Sequence, residues 1–281
     1  MFKVKEFFEA WELLGDAALA GTIGGCLLGF LGVYILFSRM VFLTAALTQV
    51  SSFSIALSFF LKGLIFSSAF LLSPSFVSAI VTFAFLFYLI KRRRKDKDSR
   101  DAILGIVFAS GWAGTLVIGN HIIEEIHDIN TLLLGTAVAV LPEDLNLLAF
   151  SLLFVAFIHF FLWRGFSEII LDPEGAAVRK IEVGFLQMIL FATIAFSISI
   201  STGILGALPT FAYSVVPAIG AIRLASNIGQ ALILAALIGA FSGFFGYIVS
   251  FTFELPVGAA QALTAATLVF VILIPGSLFR R

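Results

Sequence analysis

The residues best suited to bind a metal ion lie together in the segment NHIIEEIHDIN, residues 120–130. Imidazole and carboxylate groups are ligands that zinc and manganese take in proteins. On a helix, four of the five candidates would fall at i, i+3, i+4 and i+7 and share one face. The candidates are His121, Glu124, Glu125, His127 and Asp128. The segment predicts either a metal-capture group or a solvated acidic loop with incidental histidines.

A second set of polar residues is uncharged and opens an otherwise apolar segment, FLTAALTQVSSFSIAL, residues 42–57. Polar groups inside a membrane helix are functional candidates, because leaving them unpaired in lipid is costly. Ser and Thr also bond back to their own helix or across to a neighbour. The set therefore predicts a solute path or plain helix packing, and comprises Thr44, Thr48, Gln49, Ser51, Ser52 and Ser54.

A third candidate is the charged stretch RGFSEIILDPEGAAVRKIEVG, residues 164–184. Asp172, Pro173 and Glu174 form a good helix start, since Asp caps free N–H groups and Pro fits the first turn. Glu then favours the positive end of the helix. We expect a short helix here that either docks into a groove of a soluble partner or lies on the membrane surface.

The composition shows which elements must position these residues. Of 281 residues, 60% are hydrophobic and only 12% charged, about half the charge of a soluble domain. Apolar blocks of about 20 residues match the thickness of a bilayer as helices. The fold class is therefore an all-α, polytopic membrane protein in one domain, residues 1–281, with spans near 17–38, 43–64, 68–90, 102–119, 145–163, 183–200, 203–222, 228–250 and 258–278.

These nine spans leave three connecting segments of interest. The apolar run 131–141 is too short to cross, so it predicts a re-entrant piece or half-helix packed inside protein. The basic loop 91–101 and the coupling segment 165–182 are the two long charged stretches between spans. If basic residues mark the cytoplasmic side, the N-terminus lies outside and the C-terminus is cytoplasmic.

Stripes of small residues recur every four positions in two spans, at Gly21, Gly25 and Gly29 and at Ala235, Gly239 and Gly243. Such stripes allow helix backbones to approach closely. They predict close packing within one bundle or an interface between two copies of the chain.

Several function classes lack support in the sequence. No P-loop, His-Glu-x-x-His or Gly-x-Ser-x-Gly motif is present, so the chain is not expected to be an enzyme or to bind a cofactor. If ATP hydrolysis drives the function of this chain, another subunit must bind and hydrolyse the ATP. The net charge of zero gives no indication of nucleic-acid binding, and the single cysteine allows no disulfide framework.

An ordered set of stretches resembles the permease subunits of bacterial zinc and manganese ABC importers. It comprises LLGDAALAGTIGGCLLGFLGVYILFSRMVFL, RDAILGIVFASGWAGTLVI, FSEIILDPEGA, LGALPTFAYSVVPAIGA and SGFFGYIVSFTFELPVGAA, collinear from about residue 13 to 275. By this resemblance, Glu168, Asp172, Pro173, Glu174 and Ala177 belong to the segment that docks on the ATPase.

The resemblance fails in the polar stretch at residues 42–57. In the family, an Asp and a His lie one helical turn apart at this point and serve as metal ligands. This sequence has Ala45 at the Asp position, Gln49 at the His position and Thr48 beside it. The flanking residues match, so these are substitutions rather than a misalignment. Gln and Thr offer oxygen donors without charge, which makes a weak site for a transition metal.

The resemblance implies an importer permease that moves zinc, manganese or iron across the inner membrane. The implied partners are a P-loop ATPase subunit, a second permease copy in a homodimer, an extracytoplasmic solute-binding protein and membrane lipid. Three other functions stay open: an ABC permease for a non-metal or chelated solute, a non-transporting scaffold with a decayed pore site, and a secondary transporter.

Overall fold

The computed structural model describes residues 11–65, 74–92, 98–120 and 140–278, together with Phe7. This part of the chain is all-α, as predicted. Its ten helices are α1 (Trp11–Phe37), α2 (Val41–Ile65), α3 (Pro74–Arg92), α4 (Asp98–Gly119), α5 (Pro142–Leu171), α6 (Pro173–Val178), α7 (Val183–Leu205), α8 (Ala207–Leu224), α9 (Ile228–Phe253) and α10 (Val257–Leu278).

Eight of the nine predicted spans coincide with helices that are long and apolar enough to cross a membrane. The remaining predicted span, 68–90, overlaps α3. The apolar stretch of α3, Val77–Tyr88, is shorter than a membrane-spanning helix. Residues 66–73, where that span begins, lie outside the described part. The count of nine therefore stays a prediction, and so does the half-helix at 131–141, which falls almost entirely outside the described residues.

Two helix boundaries differ from the expected ones. Helix α5 continues past the predicted end at 163 to Leu171, because the next proline is Pro173 and the residue preceding a Pro avoids helical geometry. Helices α7 and α8 meet at Gly206 rather than at 201–202. Gly206 has a φ of 97°, which glycine adopts without strain.

The two stripes of small residues pack against each other. A Cβ on Gly25 would meet the carbonyl of Gly239, and one on Gly29 would meet the carbonyl of Ala235. Only glycine permits this approach of the α1 and α9 backbones. Among the described helices, the stripes therefore serve packing within the bundle.

Helix α2 occupies the interior, in contact with α3, α4, α7 and α8. A tight turn at Ser38–Met40 leads into it from α1, with Arg39 at a positive φ of 53° and Met40 N–H donating to the Ile35 carbonyl at 3.0 Å. This turn joins α1 to α2, whose polar first turns are buried in the bundle.

Candidate functional site

The structure places the three predicted site residues of α2 in the protein interior. Ala45, Thr48 and Gln49 are 5%, 1% and 4% exposed. Their spacing of three and four residues puts them on one face of the helix. The Thr48 hydroxyl donates to the Ala45 carbonyl at 2.8 Å, whereas Gln49 Oε1 has no hydrogen-bond partner among the described residues. Gln49 thus carries the free polar atom of this trio.

Gln49 packs against a glycine of α4, Gly111, which forms the wall of the candidate site on that side. A Cβ on Gly111 would lie 2.9 Å from Gln49 Cβ and 3.1 Å from the Gln49 carbonyl carbon and oxygen. That is closer than the roughly 3.5 Å of an ordinary carbon contact. The missing side chain at position 111 therefore sets how closely α4 approaches α2 at the candidate site.

On a different face of α2, three serines connect three helices. Ser78 of α3 shares hydrogen bonds with Ser51 of α2 at 2.7 Å and with Ser199 of α7 at 2.8 Å. All three are at most 1% exposed. Sequence reasoning marked Ser51 but missed its partners, since an isolated serine in an apolar run carries no signal of its neighbour.

A buried histidine lies on α5. His159 is 2% exposed, and its Nε2 lies 3.1 Å from the Thr193 hydroxyl. Its ring packs against those of Phe30, Tyr34 and Phe166, with centroids 5.3, 4.9 and 4.7 Å away. The aromatic contacts fix its orientation inside the bundle.

The predicted coupling segment contains the expected capped helix. Asp172 Oδ1 accepts from the Gly175 N–H at 2.9 Å, and Pro173 is the first residue of α6. Ala176 is buried and anchors the helix, while Pro173, Glu174 and Ala177 are exposed. The segment is thus held on one side and presents the other to solvent.

An ion pair holds this helix to the end of α5. Arg179 Nε lies 3.4 Å from Glu168 Oε2, and both side chains are about half exposed. Solvent screening makes such a pair worth little in stability. It links the residue that ends α6 to the last turn of α5. Val178, which directly precedes Arg179, is 84% exposed and offers an apolar contact to a partner.

The outer candidates lie outside the described residues, so their grouping stays a prediction; they are His121, Glu124, Glu125, His127 and Asp128. Within the described ranges, no three His, Cys, Asp or Glu residues lie close enough together to hold a metal ion.

Membrane-length helices packed around buried, uncharged polar side chains define a polytopic helical membrane protein. The model of the ABC 3 transport family matches residues 10–276. The chain therefore belongs to the ABC 3 transport family, whose members are multi-pass proteins of the inner membrane.

Similar proteins cover almost the whole chain. The high-affinity zinc uptake system membrane protein ZnuB of Haemophilus influenzae is 24% identical over 277 residues, which cover 96% of this chain and 98% of that protein. The manganese transport system membrane protein MntC of Listeria monocytogenes is 22% identical over 267 residues, covering 93% and 90%. PsaBC from Streptococcus pneumoniae, solved in complex with Fab, shares the fold with a TM-score of 0.83 at 19% identity, covering 96% of this chain and 95% of that chain.

Proposed function

We propose that this chain is the permease subunit of an ABC importer that moves a divalent metal, zinc, manganese or iron, across the inner membrane. The observation that carries the proposal is the family match over residues 10–276. The relatives named for zinc and manganese support a metal as the solute. Permeases of this kind are not themselves enzymes, so a separate P-loop ATPase supplies the energy.

The coupling segment supports the ATPase partner. Helix α6 is short, capped by Asp172 and held by Ala176, with Glu174, Ala177 and Val178 turned to solvent. A rigid helix with an exposed apolar tip and flanking charges fits a groove on a soluble subunit. The ATPase therefore pulls on α5 and α7 through residues 165–182. In this proposal that end of the bundle is cytoplasmic and, with five spans before it as the sequence predicts, the N-terminus lies outside.

The remaining partners follow from the importer class. A second copy of the permease completes the pathway as a homodimer, and an extracytoplasmic solute-binding protein delivers the metal. The outer group at 121–128 receives the metal on that side, because it holds imidazole and carboxylate ligands.

A second candidate function is import of a chelated solute. It is favoured by Ala45 and Gln49, since neither offers the charge that binds a bare transition metal tightly. Both candidates keep Ala45, Thr48 and Gln49 in the permeation pathway.

The proposal is tested in a bacterial strain that lacks its own zinc, manganese and iron importers. The chain is expressed with its ATPase and its binding protein, and growth is measured in medium depleted of one metal at a time. Restored growth for one metal, lost when the P-loop Lys of the ATPase is replaced by Ala, is the expected result. Growth that stays poor for every metal, with the complex present in the membrane, contradicts the proposal.

A further inference from the structure

Hydroxyl groups buried in these helices ordinarily bond to a carbonyl of their own helix. On α2, Ser54 donates to the Val50 carbonyl at 2.6 Å, and Ser58 donates to the Ile55 carbonyl at 2.8 Å. Such a bond is available to almost any Ser or Thr on a helix, and it connects the helix to nothing else. Ser51 shares a face of α2 with these two serines, because they follow it by three and seven residues. Its hydroxyl nevertheless bonds to α3 and α7 instead.

The serine network, which comprises Ser51, Ser78 and Ser199, joins α2, α3 and α7. Ser78 Oγ lies 2.7 Å from Ser51 Oγ and 2.8 Å from Ser199 Oγ, and Ser51 Oγ donates to the Ser199 carbonyl at 3.4 Å. One arrangement uses all three hydrogens: Ser199 donates to Ser78, Ser78 to Ser51, and Ser51 to the Ser199 carbonyl. Each serine is at most 1% exposed, so these bonds lie in an interior of low dielectric, where hydrogen bonds are stronger than in water.

Helix α7 connects this network directly to the coupling segment. It begins at Val183, immediately after residues 165–182, and continues to Leu205. It contains no proline that would kink it. From Val183 to Ser199 the helix rises about 24 Å at 1.5 Å per residue. A displacement of the coupling segment would therefore be carried along α7 to the network.

On α2, the network lies opposite the candidate site. Ser51 follows Gln49 by two positions, which is about 200° around a helix of 3.6 residues per turn. On its own side, Gln49 packs against Gly111 of α4. Helix α2 is thus held between the network on one face and the glycine wall on the other. A pull at Ser51 would change the contact between Gln49 and α4.

Apolar contact alone does not determine the register of α2 with α7. A Cβ on Gly203 of α7 would lie 3.6 Å from Ile55 Cδ1 of α2, which is an ordinary van der Waals distance. Such contacts are individually weak and have no preferred direction. Hydrogen bonds are restricted in both length and angle. The network is therefore the feature that ties a position on α7 to a position on α2.

We propose that Ser51, Ser78 and Ser199 are positioning residues that transmit the movement of the coupling segment to α2, and so couple ATP hydrolysis to a change at the candidate site. Helix α7 carries the movement, Ser78 keeps α3 in register with it, and Ser51 passes it to α2. None of the three serines contacts the solute in this role. The inference rests on the proposed function and adds the internal connection between the ATPase contact and the site.

The test measures metal uptake and ATP hydrolysis together, in proteoliposomes that contain the permease, its ATPase and its binding protein. Ser51→Ala removes the bonds that join the network to α2 and leaves α6 unchanged. The number of metal ions imported per ATP hydrolysed falls at least about threefold, the factor that one interhelical hydrogen bond in a membrane contributes to an equilibrium. Zn²⁺, Mn²⁺ and Fe²⁺ are supplied in turn, and the ratio is compared for the metal that the unmodified complex imports fastest.

Ser54→Ala is the matched control. Ser54 lies on the same face of the same helix and is equally buried, but its bond stays within α2. Its ratio of metal to ATP remains that of the unmodified complex. A merely structural effect would not change this ratio, because loss of folded complex lowers uptake and hydrolysis in proportion.

Two further variants keep the test decisive. Ser78→Ala removes both hydroxyl–hydroxyl bonds and lowers the ratio even if Ser51→Ala fails to assemble. Ser51→Ala combined with Ser78→Ala has the ratio of Ser51→Ala alone, since Ser78 acts on α2 through Ser51. A further fall in the combined variant contradicts the inference.

The outcomes separate this inference from the proposed function. An unchanged ratio in Ser51→Ala and Ser78→Ala, while the unmodified complex imports metal, overturns the inference and leaves the proposed function intact. The same conclusion follows if Ser54→Ala lowers the ratio as much as Ser51→Ala does. No ATP-dependent uptake of any of the three metals by the unmodified complex overturns both.

Discussion

The contact between Gly111 and Gln49 makes a specific prediction about the wall of the candidate site. Gly111→Ala introduces a Cβ that lies 2.9 Å from Gln49 Cβ and 3.1 Å from the Gln49 backbone. Two of the three nearest atoms are main chain and cannot rotate away. Helix α2 must therefore shift by about 0.6 Å to restore an ordinary carbon contact.

The magnitude follows from comparison with a second glycine of α4. Overpacking of a tight contact costs about 1–3 kcal/mol. Alanine also gains about 1 kcal/mol over glycine in helix propensity. Gly105→Ala makes the same gain without the clash, because its nearest neighbour, Phe42 Cε1, lies at 3.9 Å. The propensity gain cancels between the two variants, so Gly111→Ala is less stable than Gly105→Ala by about 1–3 kcal/mol.

The assay is thermal unfolding of both purified variants in one detergent at one heating rate, followed by circular dichroism, with metal uptake measured alongside. Gly111→Ala unfolds at the lower temperature and takes up metal more slowly than Gly105→Ala. Equal midpoints and equal uptake would show that α4 does not pack on Gln49 as described, and the reasoning about this wall would be refuted.

Three further changes test other parts of the account. Ala45→Asp with Gln49→His supplies a carboxylate and an imidazole one turn apart, so Zn²⁺ affinity measured by calorimetry rises at least tenfold; unchanged affinity removes this face from the path. Glu174→Lys reverses a charge on the exposed face of α6 and should lower metal-coupled ATP hydrolysis several-fold, whereas full coupling contradicts the docking role. His121→Ala with His127→Ala removes both imidazoles of the outer group, so uptake falls at low metal and recovers at high metal; normal uptake at low metal excludes metal capture there.

Much of the fold could be predicted from the sequence, because membrane helices obey a strong local rule. Every backbone polar group must be satisfied within the helix, so apolar length alone marks a span. The helix start at Asp172–Pro173 was predicted from neighbouring residues in the same way, and its cap is present as predicted. The ends of α5 and α7 were placed too early, since no local feature stops a helix at residue 163 or 200.

The candidate site could be predicted only in part from the sequence. Ala45 and Gln49 were singled out because the family resemblance supplied the positions, and the polar start of α2 drew attention to the same place. Gly111, Ser78 and Ser199 were missed, because each is unremarkable in its own helix. Their positions beside α2 depend on how α3, α4 and α7 pack against it, which is tertiary information.

The central claim is that this permease, driven by an ATPase, imports a divalent metal. The most direct measurement is metal uptake by proteoliposomes that contain the permease, its ATPase and its binding protein, with zinc, manganese and iron tested in turn. The account predicts uptake of at least one metal that requires ATP and stops when ATP is replaced by a non-hydrolysable analogue. ATP hydrolysis by an intact complex without uptake of any of the three metals would contradict it and direct the search to a different solute.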